Sequence, residues 1–188
     1  MRSHRFPFLL SAMALVLFAS VPGPAYAVVQ PAPCLDGVRE TKGFSAVDDG
    51  EIRWTDKTSY DDARTFAIKA WQYRGSKIKI VEDSAITSND VEFKDADLGT
   101  SAGAPLGRYE RHGSIGATDY IIFNRQKLRG ASRDRLRYVA LHELGHALGL
   151  CHKSDAIVSL LWKNASSPGY EFTWIPDVDK ANYKKLWG

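Results

Sequence analysis

The amino-acid sequence predicts one domain of the α/β (α+β) class, with about five strands and three helices. Three observations carry that expectation. Five short segments alternate or run apolar as strands do, and three longer segments carry apolar stripes at helical spacing. The two kinds are interleaved along the chain rather than segregated. Residues 28–188 have the length of one domain, enough to bury a real core.

Taken in order, residues 28–50 are rich in Pro and Gly at first and then irregular, with Pro31-Ala32-Pro33 as an extended lead-in and no room for a separately folded pro-domain. Glu51 to Thr55 alternates and reads as the first strand. Ser59 to Arg74 reads as a helix, with Ala63, Phe66, Ala67, Ala70 and Trp71 on one stripe. Thr58 or Ser59 is expected to cap it, Asp61 and Asp62 suit its dipole, and Gly75 follows its end. Lys77 to Val81 and Asp90 to Phe93 are short strands. Leu98 to Gly116 is glycine-rich loop, with a strand expected at Leu106 to Arg111. Thr118 to Asn124 holds Tyr120-Ile121-Ile122-Phe123, the pattern of a buried strand. Ser132 caps a helix over Arg133 to Leu148, whose buried side is Leu136, Val139, Ala140, Leu144 and Ala147. After an irregular stretch, Asp177 to Trp187 closes the chain as a helix on Val178, Ala181 and Leu186.

The start of the chain reads differently. Met1-Arg2-Ser3-His4-Arg5 is basic, Phe8 to Val21 is uncharged and apolar, and Ala25-Tyr26-Ala27 is a small-residue processing pattern. Residues 1–27 are therefore expected to be a cleaved signal peptide, the apolar run being shorter than the roughly 20 residues of a membrane span. The expected location is secreted, extracellular. Removing Arg2 and Arg5 takes the formal charge from +3 to about +1. That balance gives no basis for nucleic acid or an anionic membrane as partner.

The chemistry is concentrated in His142-Glu143-Leu144-Gly145-His146-Ala147-Leu148-Gly149-Leu150-Cys151-His152. Two histidines four apart project from one helix face and can reach one metal. Gly149 sits where a left-handed residue ends a helix, and the turn can return His152 as a third nitrogen ligand. Three protein ligands leave a tetrahedral position open, as in a catalytic zinc site. Zinc-activated water has a pKa near 7 rather than about 15.7. Glu143 is then the general base and, afterwards, the general acid. Cys151 lies directly before His152, and the other cysteine of the chain is Cys34. An oxidising compartment favours a Cys34–Cys151 disulfide, closing a loop worth on the order of 4–5 kcal/mol in the chain-entropy picture. The alternative is a free Cys34 whose thiolate caps the zinc.

Weaker signals surround the motif. His112 reads as a solvated loop histidine, against a substrate or second-metal role. Asp83, Asp90, Asp95, Asp97 and Asp119 could hold Ca2+ with backbone carbonyls, although no diagnostic loop spacing is present and solvated acids are the simpler reading. Asn164-Ala165-Ser166 fits a glycosylation sequon. Trp162, Tyr170, Phe172 and Trp174 either line a substrate pocket or pack the last helix.

The pattern H-E-x-x-H-x-x-G-x-x-H is the metzincin signature. Beyond it the chain resembles a minimal matrixin catalytic domain: Ile52-Arg53-Trp54 resembles the family's first strand, Ala67-Ile68-Lys69-Ala70-Trp71 its first helix, and Leu186-Trp187-Gly188 its closing L-Y-G. The resemblance implies a twisted mixed sheet, mostly parallel with one antiparallel edge strand, and a zinc site in a cleft beneath that edge. An extended peptide would pair with the edge by strand addition, the best candidate being Leu106 to Arg111. The chain after His152 would wall the side pocket. Two departures stand out. Ser159-Leu160-Leu161-Trp162 resembles the family's methionine turn with Leu161 at the methionine position, a swap that keeps apolar volume. The prodomain and its cysteine switch are absent, Pro33-Cys34-Leu35 being a faint echo. The resemblance thus implies a secreted, monomeric zinc endopeptidase acting on extended polypeptides. The competing expectations are a non-catalytic zinc-binding module and a zinc amidase acting on cell-wall peptides.

Overall fold

A computed structural model of the chain describes residues 28–188 apart from 86, 114–115 and 164–170. The expected signal peptide, the Asn164-Ala165-Ser166 sequon and Tyr170 lie outside the described residues. The elements are β1 (Glu51–Lys57), α1 (Asp61–Trp71), β2 (Lys79–Glu82), β3 (Val91–Ala96), β4 (Gly107–Glu110), β5 (Asp119–Asn124), α2 (Arg125–Leu128), α3 (Arg133–Ala147) and α4 (Asp177–Trp187). The sheet order is β2-β1-β3-β5-β4. All neighbours are parallel except β4, which runs antiparallel to β5 at the edge. This is the mixed α/β sheet that the interleaved pattern predicts.

Period-two burial puts one sheet face against the helices. Ile52, Trp54, Val91, Phe93, Ile121 and Phe123 are buried and alternate with part-exposed neighbours in β1 and β3. They meet Ala63, Ala67 and Trp71 of α1 and Tyr138, Val139, Leu141 and Leu144 of α3 in one core. Trp71 ties the two helices together, its indole Nε1–H donating to the Leu141 carbonyl at 3.0 Å. The α3 helix therefore lies along the core, with its histidine-bearing end at the edge strand.

Several element ends differ from expectation, each for a local reason. The β2 ladder begins at Lys79 because the Lys77 and Ile78 N–H groups donate instead to the Tyr183 hydroxyl, at 3.0 and 2.9 Å. Neither Thr58 nor Ser59 caps α1. Both hydroxyls donate to Asp95 on β3, and the helix starts from Tyr60 with no side-chain cap. The helix ends at Trp71, before Arg74, and Gly75 turns the chain at φ +102°. Ser132 caps α3 as expected, accepting from the Arg135 N–H at 3.1 Å. The one-turn α2 is an addition, started by Asn124, whose side chain accepts from the Gln126 N–H. Leu136 is half-buried, not core. In α4 the expected apolar positions Val178, Ala181 and Leu186 are half-buried, and the buried residues are Asp179, Asn182 and Tyr183. The helix is rotated so that polar groups with partners face inward.

Candidate metal centre

Helix α3 carries His142 and His146 one turn apart, and Gly149 ends it at φ +84°. The chain turns back there, so that His152 reaches the other two imidazoles. The Nε2 atom of His146 lies 3.1 Å from Nε2 of His142 and 3.1 Å from Nε2 of His152. Zinc with Zn–N bonds of about 2.0–2.1 Å in tetrahedral geometry separates its nitrogens by about 3.3 Å. The three residues fit that ion. Backbone carbonyls set the rings: His142 Nδ1 lies 3.0 Å from the Leu160 carbonyl and His146 Nδ1 2.9 Å from that of Leu150. With Nδ1–H donating, the Nε2 lone pairs are free to converge. Burial first, and then the neighbouring imidazoles, hold His142 well below the usual histidine value; burial and His152 bring His146 to about 4. Both rings are thus kept in the neutral form that binds a metal.

Leu161 lies beneath this helix. It is fully buried, and its Cδ2 would come within 2.9 Å of a Cβ placed on Gly145, between the two helical histidines. The turn that carries it is held by Asp179. That carboxylate accepts from the Ser159 hydroxyl at 2.6 Å and from the Leu160 N–H at 2.7 Å. A chain therefore runs from α4 through Asp179 and Leu160 to the ring of His142.

Glu143 is buried beside the histidines. Burial pushes its carboxyl up to about 8, while the backbone N–H of Tyr109 and the Arg108 side chain pull the other way. A divalent cation in the histidine cluster adds to that pull and favours the carboxylate. Gly107 of β4 makes the approach of strand and helix possible: a Cβ there would sit 2.6 Å from Val139 Cγ1 and 2.9 Å from Glu143 Oε1. A concavity of about 250 Å³ opens on the cluster, lined by Pro105 to Tyr109, Tyr138, Val139, Glu143, the three histidines and Lys163. A larger cleft of about 530 Å³ between Asp48, Arg53, Asp90, Arg111 and Asp119 contains none of these groups.

With this geometry in place, the comparison with known families is decisive. The family model for Matrixin, a peptidase family, matches residues 37–188. The chain belongs to the matrixin family. A search of curated proteins finds no match. Membership makes the chain a metallopeptidase by family and implies zinc for the histidine cluster. The mixed sheet with an antiparallel edge is that expected of a matrixin catalytic domain.

In this matrixin, Cys34 and Cys151 form a disulfide with Cα atoms 5.6 Å apart, so the reading of Cys34 as a free thiolate over the zinc does not hold. His112 is exposed, with Nδ1 2.8 Å from the Thr118 carbonyl and its ring against Tyr120, apart from the cluster. The five aspartates are engaged separately. Asp83 accepts from Thr87, Asp90 from the Arg53 N–H, Asp95 from Thr58 and Ser59, Asp97 from Arg125, and Asp119 from Tyr109 and His112. Among the described residues, no group of three metal-capable side chains includes any of them. Trp162 and Phe172 pack in the core, edge to face, and Trp174 is exposed; none of the three lines the concavity at the histidines. Sequence reasoning missed Gly107, Asp179, Glu40, Lys153 and Asn182. A glycine in a strand pattern was a usable signal for the first. The others are ordinary polar residues until the fold brings them together.

Proposed function

We propose that this matrixin is a secreted zinc endopeptidase that hydrolyses extended polypeptides. The observation that carries the reading is the convergence of three Nε2 atoms beside the buried Glu143 at an open sheet edge. His142, His146 and His152 would hold the ion. Zinc bound there supplies a Lewis acid that acidifies water and polarises the scissile carbonyl. The peptide lies against the outer edge of β4 and pairs with its backbone, which orients the scissile bond over the cluster. The residue beyond that bond enters the concavity between β4 and Tyr138. Glu143 takes the proton of the attacking water and delivers it to the leaving amine, so no covalent intermediate is needed. Export is supported by the basic, apolar and small-residue order of residues 1–27 and by the use of both cysteines in a disulfide.

The test couples metal analysis to mass-spectrometric mapping of cleavage sites in a peptide library. One zinc per chain and cleavage that is lost to a chelator and restored by zinc are expected. Glu143→Ala should lower kcat by about 10²- to 10⁴-fold with zinc retained. Cleavage indifferent to chelation, or equal in wild type and Glu143→Ala, would sink the mechanism, and zinc binding without cleavage by the wild type would leave a zinc-binding module.

A further inference from the structure

The two helical histidines are positioned by α3 and by carbonyls at Leu150 and Leu160. His152 is on the loop after the helix, and its placement has a different origin. Its carbonyl accepts from the Leu35 N–H at 2.8 Å. Its neighbour on one side, Cys151, is bonded to Cys34. Its neighbour on the other side, Lys153, has a fully buried side chain that ion-pairs with Glu40 at 2.5 Å and donates to the Ala32 carbonyl at 3.1 Å. Asn182 of α4 closes the arrangement, donating to Glu40 Oε2 and to the Ala32 carbonyl at 2.7 Å each and accepting from the Ala32 N–H at 2.8 Å. Residues 32–40 thus hold three consecutive positions, 151, 152 and 153. The family match begins at residue 37, so Ala32, Cys34 and Leu35 lie upstream of it.

We propose that residues 32–40 are a redox-controlled strap that positions the third metal ligand, with Cys34 and Leu35 as positioning residues for His152. The proposal rests on the reading of the three histidines as zinc ligands. The controlling step is reduction of the Cys34–Cys151 bond by a dithiol. The S–S bond breaks, each sulfur takes one proton and one electron, and the dithiol is oxidised to its own disulfide. What remains on the strap is non-covalent, and the Leu35 bond to His152 opens with the segment. His152 then loses its fixed position while His142 and His146 keep theirs. The protein is competent where disulfides persist and loses zinc where they do not.

The experiment measures zinc affinity by competition with a chromogenic chelator, on the purified protein with its disulfide intact and after reduction with a phosphine that is removed before titration. Thermal midpoints of the metal-free protein, kcat and KM are recorded alongside. Reduction should weaken zinc binding by about tenfold or more, reversibly on reoxidation. The double variant Cys34→Ser, Cys151→Ser should match reduced wild type and ignore the reductant. A second variant separates positioning from cross-linking. Leu35 begins a 3-10 turn and follows Cys34 at φ −70°, ψ 147°, a geometry that accepts proline, so Leu35→Pro removes the N–H without straining the strap. It should keep the disulfide, weaken zinc by about fivefold, and lower the metal-free midpoint by no more than the few degrees that one hydrogen bond is worth. A fall in thermal midpoint with unchanged zinc affinity and kcat in the reduced protein would overturn the proposal, leaving a plain cross-link. Zinc affinity that tracks the disulfide in a protein that cleaves no peptide would uphold the strap and defeat the peptidase reading.

Discussion

At the level of single residues, the site depends on which groups are allowed near Glu143. Its carboxylate lies under β4 only because position 107 has no side chain. Gly107→Ala puts a methyl within 2.6 Å of Val139 and 2.9 Å of Glu143, contacts that real Cβ atoms do not make. Either the strand lifts or the glutamate turns. Overpacking of this kind costs about 1–3 kcal/mol. A displaced base costs more in rate than in stability, so kcat should fall by about 10- to 100-fold with zinc content unchanged. Steady-state kinetics alongside metal analysis checks this, and an unaltered kcat would mean the edge strand gives way freely. Gly145 carries the same lesson on the other face of α3, where Leu161 and Trp71 leave no room for a Cβ.

Among the elements, α4 controls the metal site at one remove. It contributes Asp179, which fastens the Leu161 turn, and Asn182, which fastens residues 32–40. Burial raises the Asp179 carboxyl to about 6, against the hydrogen bonds from Ser159 and Leu160 that lower it. An acid with a folded pKa above its unfolded value holds its proton more tightly when native. Its contribution to stability is complete below the unfolded pKa near 3.8 and is lost as pH rises through about 6. The two values correspond to a change on the order of 3 kcal/mol. Asp179→Asn cannot titrate, so the unfolding free energy of wild type minus variant should decline between about pH 4 and pH 7. Denaturant melts across that range test it, and a difference independent of pH would refute it.

For the molecule as a whole, the proposed metal site couples zinc binding to folding. The histidines come from a helix and from the loop behind it, and they converge only when α3, the Leu161 turn and the N-terminal segment are all in place. Zinc held by the three histidines would bind the native state and stabilise it by mass action, about 4 kcal/mol at a thousandfold excess over the dissociation constant. For a domain of this size that is about 10 °C in thermal midpoint. Adding zinc to the stripped protein should produce such a shift, and His146→Ala should remove most of it. Calorimetric scans with and without zinc decide the matter; equal shifts in both proteins would place the ion elsewhere.

The features legible in the chain alone were local and periodic. The strand alternation, the presence and order of the three long helices, the Ser132 cap, the helix-ending Gly149 and the five fixed positions from His142 to His152 depend on spacing along one segment, and spacing is visible in a string of residues. The pairing of Cys34 with Cys151 was legible for a related reason, because an oxidising compartment leaves two cysteines one partner each. Tertiary structure decided the other meetings of distant segments. It set the start of β2 by lending Lys77 and Ile78 to Tyr183, and it moved Thr58 and Ser59 from a cap to Asp95. It turned Asp179, Asn182 and Lys153, which look like surface residues in the sequence, into buried supports of the histidine cluster, with Glu40 half-buried beside them. The physical reason is common to all of them. A buried polar group must find a partner, and the nearest one in space has no fixed distance along the chain.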